Sequence, residues 1–323
     1  MQEKGSAPES WRAEFPLKGP AGEPIELSRT FRSHGLTSLP PMRPVQNVLE
    51  ITLPAEPCPR IVRISGGRPG YGKVSTVGPP PEREEGEKLL AAVRHALRLD
   101  EDLSPFYEMA ATDPELRWVT MGAGRMIRGA TVFEDVIKTL CTTNCAWSAT
   151  TRMVNALVEH LGAEAPGAPG TGPWGRAFPT PKAMAGAEED FYKDVVRAGY
   201  RGRYMMALAR SVAESAVDVE SFDAPREKLP DEELERSLLA LPGIGPYAAA
   251  HVMMLLGRYS RLILDSWTRP TYARLTGHPA TDAQIIERFA PYGRYAGLAF
   301  WLYLTRSWIR DTEETQHAEL LEP

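Results

Sequence analysis

The chain holds few cysteines, no long apolar run and no spaced set of metal ligands, and each lack narrows what it can be. Three cysteines, Cys58, Cys141 and Cys145, among 323 residues are too few and too scattered for a disulfide framework. A reducing, cytoplasmic compartment is therefore expected. Three thiolates also fall short of an all-cysteine iron–sulfur cluster or a four-cysteine zinc site. The six histidines show no H-x-x-x-H spacing and there is no C-x-x-C pair, so no metal site is expected. No apolar stretch reaches the roughly 18 residues of a membrane span. Residues 1–20 are polar and carry Pro and Gly, with no charged start leading into an apolar block, so neither a membrane segment nor a secretory signal is expected.

What is present is an ordinary globular composition, 43% apolar and 24% charged, with room for one large core or two smaller ones. A net charge of −5 argues against a protein that coats polyanions with its whole surface. It leaves room for a local basic face, because fields are set by where charge sits and not by the sum.

The first part reads as extended chain. Val45–Leu53 and Arg60–Ser65 are rich in β-branched residues, Tyr71–Val77 alternates, and S-G-G-R-P-G separates the last two. This predicts a small antiparallel sheet. Pro79, Pro80 and Pro81, followed by Glu82, Glu84 and Glu85, break the pattern. Beyond them the period turns helical, with Leu89, Leu90, Val93 and Leu97 on one helix. Phe133, Val136, Ile137 and Leu140 mark another, and Met153, Ala156, Leu157 and Leu161 a third. The expected fold is mainly α with an N-terminal antiparallel β domain. Its parts are a β-rich domain over residues 1–81, a helical body over 82–310 and an acidic tail over 311–323. No repeat at a fixed period is evident, which argues against a solenoid.

The segment from Pro230 to Gly277 carries the most chemistry. A helix with Leu234, Leu238 and Leu239 leads into L-P-G-I-G-P-Y (Leu241–Tyr247), and a second helix runs from Ala248 to Leu256. Two helices joined by a G-I-G turn present backbone N–H groups, with a helix dipole behind them, to an anion such as a DNA phosphate. The same residues would equally serve a tight αα-hairpin. Leu262-Ile263-Leu264 then ends in Asp265, ahead of Ser266-Trp267-Thr268-Arg269. An aspartate there can be an ordinary N-cap or a catalytic carboxylate.

These residues resemble the helix-hairpin-helix (HhH-GPD) DNA glycosylase superfamily, whose signature is L-P-G-[IV]-G-x-x-[TA]-A, a helix, and an apolar run closed by aspartate. Phe178–Ala185, Gly199–Tyr204 and Thr142-Thr143-Asn144 resemble segments of its 3-methyladenine glycosylase II and 8-oxoguanine glycosylase branches. The resemblance implies a small β domain ahead of the helices and double-stranded DNA with a damaged base as partner, bound by a monomer. It implies that Gly243, Ile244 and Gly245 hold a phosphate, with room for a monovalent cation at the hairpin and no other cofactor. It implies that Asp265 is catalytic and that Asn144 fills the gap left by a flipped nucleotide, although Asn144 suits a polar structural role equally well. The chemistry agrees for the first two: a base must leave the duplex to be reached, and a carboxylate stabilises the positive charge that builds on its sugar.

Two departures shape the expected activity. Bifunctional members of the superfamily carry a lysine nucleophile where this chain has Tyr247, so water is the expected nucleophile. Tyr292–Phe300 resembles a segment in which the 8-oxoguanine branch reads the base with glutamine, and Phe300 stands in its place. Tyr247, Trp267 and Phe300 would then form an aromatic base pocket suited to cationic, alkylated purines. Arg201, Arg203 and Arg269 are expected to contact DNA, as parts of basic clusters that also hold Arg197, Arg210, Arg258, Arg261 and Arg274. The rival expectations are an 8-oxoguanine-type glycosylase with an altered pocket and a non-catalytic DNA-damage-binding protein.

Overall fold

The computed structural model describes residues 11–319. The first ten residues of the expected β-rich domain and the last four of the expected tail lie outside the described residues. The strands are β1 (Arg12–Pro16), β2 (Met42–Val45), β3 (Val48–Leu53), β4 (Arg60–Gly66) and β5 (Tyr71–Thr76). The helices are α1 (Leu27–Phe31), α2 (Arg83–Ala96), α3 (Ser104–Ala111), α4 (Val132–Thr142), α5 (Trp147–Leu161) and α6 (Pro181–Ala185). They continue with α7 (Arg201–Ala213), α8 (Asp231–Leu239), α9 (Pro246–Leu255), α10 (Thr268–Thr276), α11 (Asp282–Phe289) and α12 (Ala296–Glu319). Helix α12 thus runs on through the segment expected as an acidic tail. No helix among the described residues is long and apolar enough to cross a membrane.

The chain folds into two compact units, and neither is a continuous stretch. One comprises the residues up to Leu17, Gly35–Leu97 and Arg128–Glu220; the other comprises Lys18–His34, Arg98–Ile127 and the chain from Ser221 onward. The five strands lie in the first unit as an antiparallel sheet in the order β1-β5-β4-β3-β2. Alternation puts Leu49, Ile51, Val62, Ile64 and Val74 on its buried face, where Leu49 pairs with Ile64 and Ile64 with Val74. Gly72 pairs with Phe15, and a Cβ at Gly72 would collide with the Phe15 ring. The run Val45–Leu53 is not one strand, as its composition suggests. It contains a two-residue hairpin at Gln46-Asn47, with Val45 paired to Val48 and Gln46 at a φ of +52°.

The second unit is helical. Its core gathers Leu298, Ala299, Phe300 and Leu302 of α12 with Phe106, Leu116, Met254, Tyr259 and Phe289. A buried ion pair, Glu23 to Arg125 at 2.7 Å, joins two of its segments, and Glu23 also accepts the Leu103 N–H at 3.2 Å. The indole N–H of Trp301 donates to the Ser33 carbonyl at 2.7 Å, which fixes how that ring sits on α12.

In the first unit, α4 is buried almost throughout, so its polar groups need partners inside the protein. The Thr131 hydroxyl caps the helix by accepting the Glu134 N–H at 3.1 Å. The Glu220 carboxylate accepts the N–H groups of Val132 and Phe133 at 2.9 and 3.0 Å. Glu134 pairs with Lys138 at 2.6 Å. Asp135 accepts the Gly129 N–H at 2.7 Å through Oδ1, while Oδ2 is buried without a partner.

Burial, followed by the neighbouring Glu134 charge, pushes the Asp135 carboxyl up to about 7. The folded chain therefore takes up this proton before the unfolded chain does. The resulting contribution to stability is complete below the ordinary aspartate value of about 4 and is lost as pH rises towards 7. Asp135→Asn keeps the acceptor for Gly129 and removes the titration. The stability of the variant relative to wild type should grow between pH 4 and 7 by about 1–4 kcal/mol and then level off. Urea denaturation across that range checks this, and a difference independent of pH would show that Asp135 titrates as an ordinary aspartate.

Candidate functional site

The hairpin is built as its composition predicts. Helix α8 follows Pro230 and opens with Asp231, Glu232 and Glu233, acids that suit the positive end of the helix dipole. The chain turns at Gly243, whose φ of +78° lies in the left-handed region. The Ile244 N–H closes the turn on the Leu241 carbonyl at 3.2 Å. Gly245 is the N-cap of α9 and Pro246 its first residue, where the missing N–H is harmless. The N–H groups of Gly245 and Ala248 precede the first hydrogen bond of the helix, from Ala249 to the Gly245 carbonyl at 2.9 Å. A Cβ on Gly245 would meet nothing within 4 Å, so this side of the turn faces open space.

Ile244 is buried and anchors the turn, and its N–H is spent on the Leu241 carbonyl, so it is the Gly245 and Ala248 N–H groups that precede the helix's own bonds. The monovalent cation implied by the resemblance would be held by backbone carbonyls. The Leu241 carbonyl is engaged by Ile244, and the chemistry proposed below does not need the ion.

Both ends of the two-helix unit are pinned by one buried group. Asp231 accepts from the Arg258 guanidinium at 2.8 Å and from the Ser260 hydroxyl at 2.6 Å. Arg258 also donates to the carbonyls of Ala224 at 2.7 Å and Leu229 at 3.1 Å. The entry to α8 and the exit from α9 are thereby tied together.

Asp265 follows Leu262-Ile263-Leu264 and stands two residues ahead of Trp267, the N-cap of α10. Its Oδ1 accepts the N–H groups of Trp267 at 2.8 Å and Thr268 at 2.6 Å, and its own N–H donates to the Thr268 hydroxyl at 2.8 Å. This reciprocal pair fixes the side chain. Oδ2 accepts no hydrogen bond among the described residues, and the carboxylate charge acts on the nearby Arg269 guanidinium. Trp267 is 38% exposed and packs on Trp308, itself 41% exposed, at 5.2 Å between ring centroids. It also packs on Trp301 at 5.9 Å. Trp301 meets His251 at 6.2 Å, and His251 meets Tyr247 at 5.9 Å. A continuous run of rings therefore leads from the hairpin to the residue bonded to Asp265.

The structure thus brings Gly243, Ile244, Gly245, Tyr247, Asp265 and Trp267 into one unit and links the last three through rings and a hydrogen bond. Phe300 is a correction. It is fully buried against Phe289 at 5.3 Å and Tyr272 at 6.3 Å, on the side of α12 that Leu304 shares one turn further on. Its neighbour Trp301, about 100° further round the helix, joins the aromatic run in its stead. Arg269 lies beside the site but forms an exposed two-pronged pair with Asp282, at 2.7 and 3.0 Å.

Asn144, Arg201 and Arg203 belong to the other unit. Arg201 is a second correction. It is buried, and its guanidinium bonds the Thr143 carbonyl and, at 3.3 Å, the Thr143 hydroxyl. That fork holds the turn at Asn144, which is exposed with a φ of +45°. The Asn144 amide donates to the hydroxyl of Tyr200 at 3.3 Å, and Tyr200 is exposed as well. Arg203 is exposed and lies over the Tyr204 ring at 4.8 Å. In the clusters read as basic faces, Arg258 is buried on Asp231 and Arg261 pairs with Glu235 at 2.8 Å.

Residues missed from the sequence are Trp301, Trp308, His251 and Tyr200. Spacing offered a signal for three of them. Trp308 follows Trp301 by two helical turns, and His251 follows Tyr247 by four residues, so each pair shares a helix face.

The fold is that of the helix-hairpin-helix DNA glycosylases. A structure of MBOgg1 in complex with a low-affinity DNA ligand superposes with a TM-score of 0.71 at 16% identity, covering 92% of this chain and 96% of that one. The 3-methyladenine DNA glycosylase of Archaeoglobus fulgidus gives 0.70 at 19% identity, covering 93% and 99%. The 8-oxoguanine glycosylase/lyase of Clostridium acetobutylicum gives 0.64 at 18% identity, covering 84% and 93%. In sequence, the chain is 27% identical over 194 residues to the DNA-3-methyladenine glycosylase of Bacillus subtilis (strain 168). That match covers 56% of this chain and 58% of the relative, so the chain spans little more than half the length of this curated relative. No protein-family profile matches the chain.

The two hairpin glycines should respond differently to a methyl group. Gly243→Ala forces a left-handed alanine and should cost about 1 kcal/mol of stability. Gly245→Ala, in open space at a φ of −100°, should change stability by less than about 0.5 kcal/mol. Chemical denaturation of both variants checks the contrast.

Proposed function

We propose that the protein is a monofunctional DNA glycosylase of base excision repair that hydrolyses the N-glycosidic bond of damaged purines, alkylated purines foremost. The observation that carries this reading is the placing of Asp265: one carboxylate oxygen locked by two N–H groups, the other accepting no hydrogen bond among the described residues, beside exposed tryptophans and in the same unit as the hairpin. The hairpin N–H groups and the exposed arginines would hold the duplex backbone, and the damaged base would leave the stack for the ring faces. As the bond breaks, the base departs with its electrons and positive charge develops on the sugar. The Asp265 Oδ2 offsets that charge, and water adds to the anomeric carbon and gives up a proton to solvent. Asn144 with Tyr200 is suited to the space the nucleotide vacates.

Phe300 no longer supports the preference for alkylated bases, since it is buried. The support comes from the exposed rings of Trp267 and Trp308 and the half-buried ring of Tyr247, since a ring face attracts a cationic base with roughly 0.5–2 kcal/mol. The name of the Bacillus subtilis relative points the same way. A damage sensor without catalysis would gain nothing from a carboxylate beside phosphates, so Asp265 favours an enzyme.

Asp265→Asn keeps an oxygen to cap α10, so the variant should fold and bind duplex DNA within about tenfold of wild type, roughly 1.4 kcal/mol. Excision should fall by more than about 100-fold, roughly 2.7 kcal/mol of transition-state stabilisation. Single-turnover excision and gel-shift binding on one lesion duplex measure both, and undiminished excision would remove Asp265 from the chemistry.

Tyr247 stands where bifunctional members of the superfamily carry lysine, so the product should be an intact abasic strand with no adduct trapped by borohydride. Release of 3-methyladenine should outpace that of 8-oxoguanine. A trapped adduct would overturn the hydrolytic mechanism, and faster 8-oxoguanine release would overturn the preference while leaving a glycosylase.

A further inference from the structure

Trp147 opens α5 and is 47% exposed, and nothing described so far uses it. The exposed Trp267 and Trp308 pack on each other, whereas Trp147 has no ring contact among the described residues. It lies on Gly35, where a Cβ would stand 3.1 Å from Cη2, 3.4 Å from Cζ2 and 3.5 Å from Cζ3 of the indole. Distances so nearly equal place that point over the face of the six-membered ring, since a point in the ring plane beyond Cη2 would be much further from Cζ2 and Cζ3. One face of the indole is therefore seated on the glycine, and its exposed surface lies on the opposite face and the edges. A side chain at position 35 would press on the ring, so the glycine lets the indole lie flat against the backbone. The mount is rigid. Arg201 holds the turn at Asn144 through the Thr143 carbonyl, and the Cys145 thiol and Thr150 hydroxyl both donate to the Cys141 carbonyl, at 3.2 and 2.9 Å. These bonds tie the start of α5 to the end of α4, and Trp147 follows the exposed Asn144 by three residues.

We propose that Trp147 is a specificity-determining residue: its outward face stacks on the base left unpaired across from the extruded nucleotide, so that a lesion is accepted opposite any of the four bases. This rests on the glycosylase reading above, with Asn144 in the space the nucleotide vacates, and goes beyond it by assigning a residue to the complementary strand. A side chain that wedges between base pairs must stand clear of the protein on both faces. An indole seated on backbone cannot do that, and its one open face fits a base that has lost its pair and can turn towards it. Stacking needs only a π-face, which every base has, so the contact does not read which base it holds. Reading would need hydrogen-bonding groups aimed at the base edge. The guanidinium that holds this turn, that of Arg201, is given to the Thr143 carbonyl.

The test uses the full chain and duplexes that carry a tetrahydrofuran residue, a stable nucleotide without a base, facing adenine, cytosine, guanine, thymine or a second tetrahydrofuran. Trp147→Leu keeps apolar bulk on Gly35 and removes the π-face, and Trp147→Phe keeps a smaller face. Wild type should bind the four duplexes with an opposite base within about threefold of one another, and at least about fivefold tighter than the duplex with none. Trp147→Leu should lose that advantage on all four and stay within about twofold of wild type where no base is opposite, and Trp147→Phe should keep most of it. A loss that persists undiminished with no base opposite would make Trp147 a packing or backbone contact and overturn the proposal, as would no loss on any duplex or a loss confined to one base. If Trp147→Leu does not fold, wild type carries the test with 2-aminopurine opposite the tetrahydrofuran: stacking on the indole dims its fluorescence on binding, and unchanged or brighter fluorescence overturns the proposal. Release of 3-methyladenine is measured in parallel. Wild type that releases it while binding ignores Trp147 overturns this proposal alone. Wild type that releases nothing and binds none of the duplexes overturns the glycosylase reading and this proposal together.

Discussion

Arg258 gives both terminal nitrogens of its guanidinium to the Asp231 carboxylate and to two carbonyls, and the shape of the hairpin follows from that clamp. Helix α8 leaves from Asp231, α9 returns to Arg258, and the turn between them lies at the far end of both. Asp231 also faces Arg226 at 3.3 Å, so its charge stays paired on two sides while Arg258 ties down the carbonyls. Helix α9 is buried along nearly its whole length, so its direction is set by packing, and the clamp decides where its first turn lies. Backbone N–H groups at a helix start are useful to an anion only if they cannot swing away. Their rigidity here comes from residues at the opposite end of the helices.

In the proposed function Asp265 would combine two roles that the sequence left as alternatives. The carboxylate has two oxygens, and the structure divides them: Oδ1 takes the N–H groups of Trp267 and Thr268, and Oδ2 takes none. Capping fixes the rotamer, and a fixed carboxylate needs no reorganisation when charge develops on a substrate. The cap is therefore the means by which the free oxygen is aimed. The same bond ties Trp267 to the site, so the aromatic face and the carboxylate are set by one turn of chain.

Local pattern in the sequence recovered the parts that local physics decides. The G-I-G turn, the cap at Asp265 and the strands at 60–66 and 71–76 each depend on a few neighbouring residues, and each was legible. Val45–Leu53 was misread because β-branched residues continue across a hairpin whose signal, Gln-Asn, is weaker than Asn-Gly. Phe300 and Trp301 are adjacent on α12 and both are buried, and only tertiary packing decides which of them meets the exposed Trp267. Arg201 and Arg258 were misread for a related reason: charge counts along the chain do not reveal which guanidinium is buried. The two units are each assembled from distant segments, a fact that no local period encodes.

The fate of the arginines bears on how a chain of net charge −5 would hold a polyanion. Arg258 and Arg201 are buried in structural roles, and Arg261 and Arg269 face Glu235 and Asp282. The cationic surface is therefore smaller than the sequence clusters suggest. In the proposed function, long-range attraction would be weak, and binding would rest on close contacts, including the hairpin N–H groups, Arg203 over Tyr204 and the exposed pair of Asn144 and Tyr200. Backbone N–H groups release no counterions of their own when they meet a phosphate, so salt should weaken binding less than a count of lysines and arginines implies. An enzyme that must sample many undamaged sites gains from such an interface. In that function, modest attraction to any duplex would keep it moving, and the hold would become firm only where a base can leave the stack and reach the rings beside Asp265.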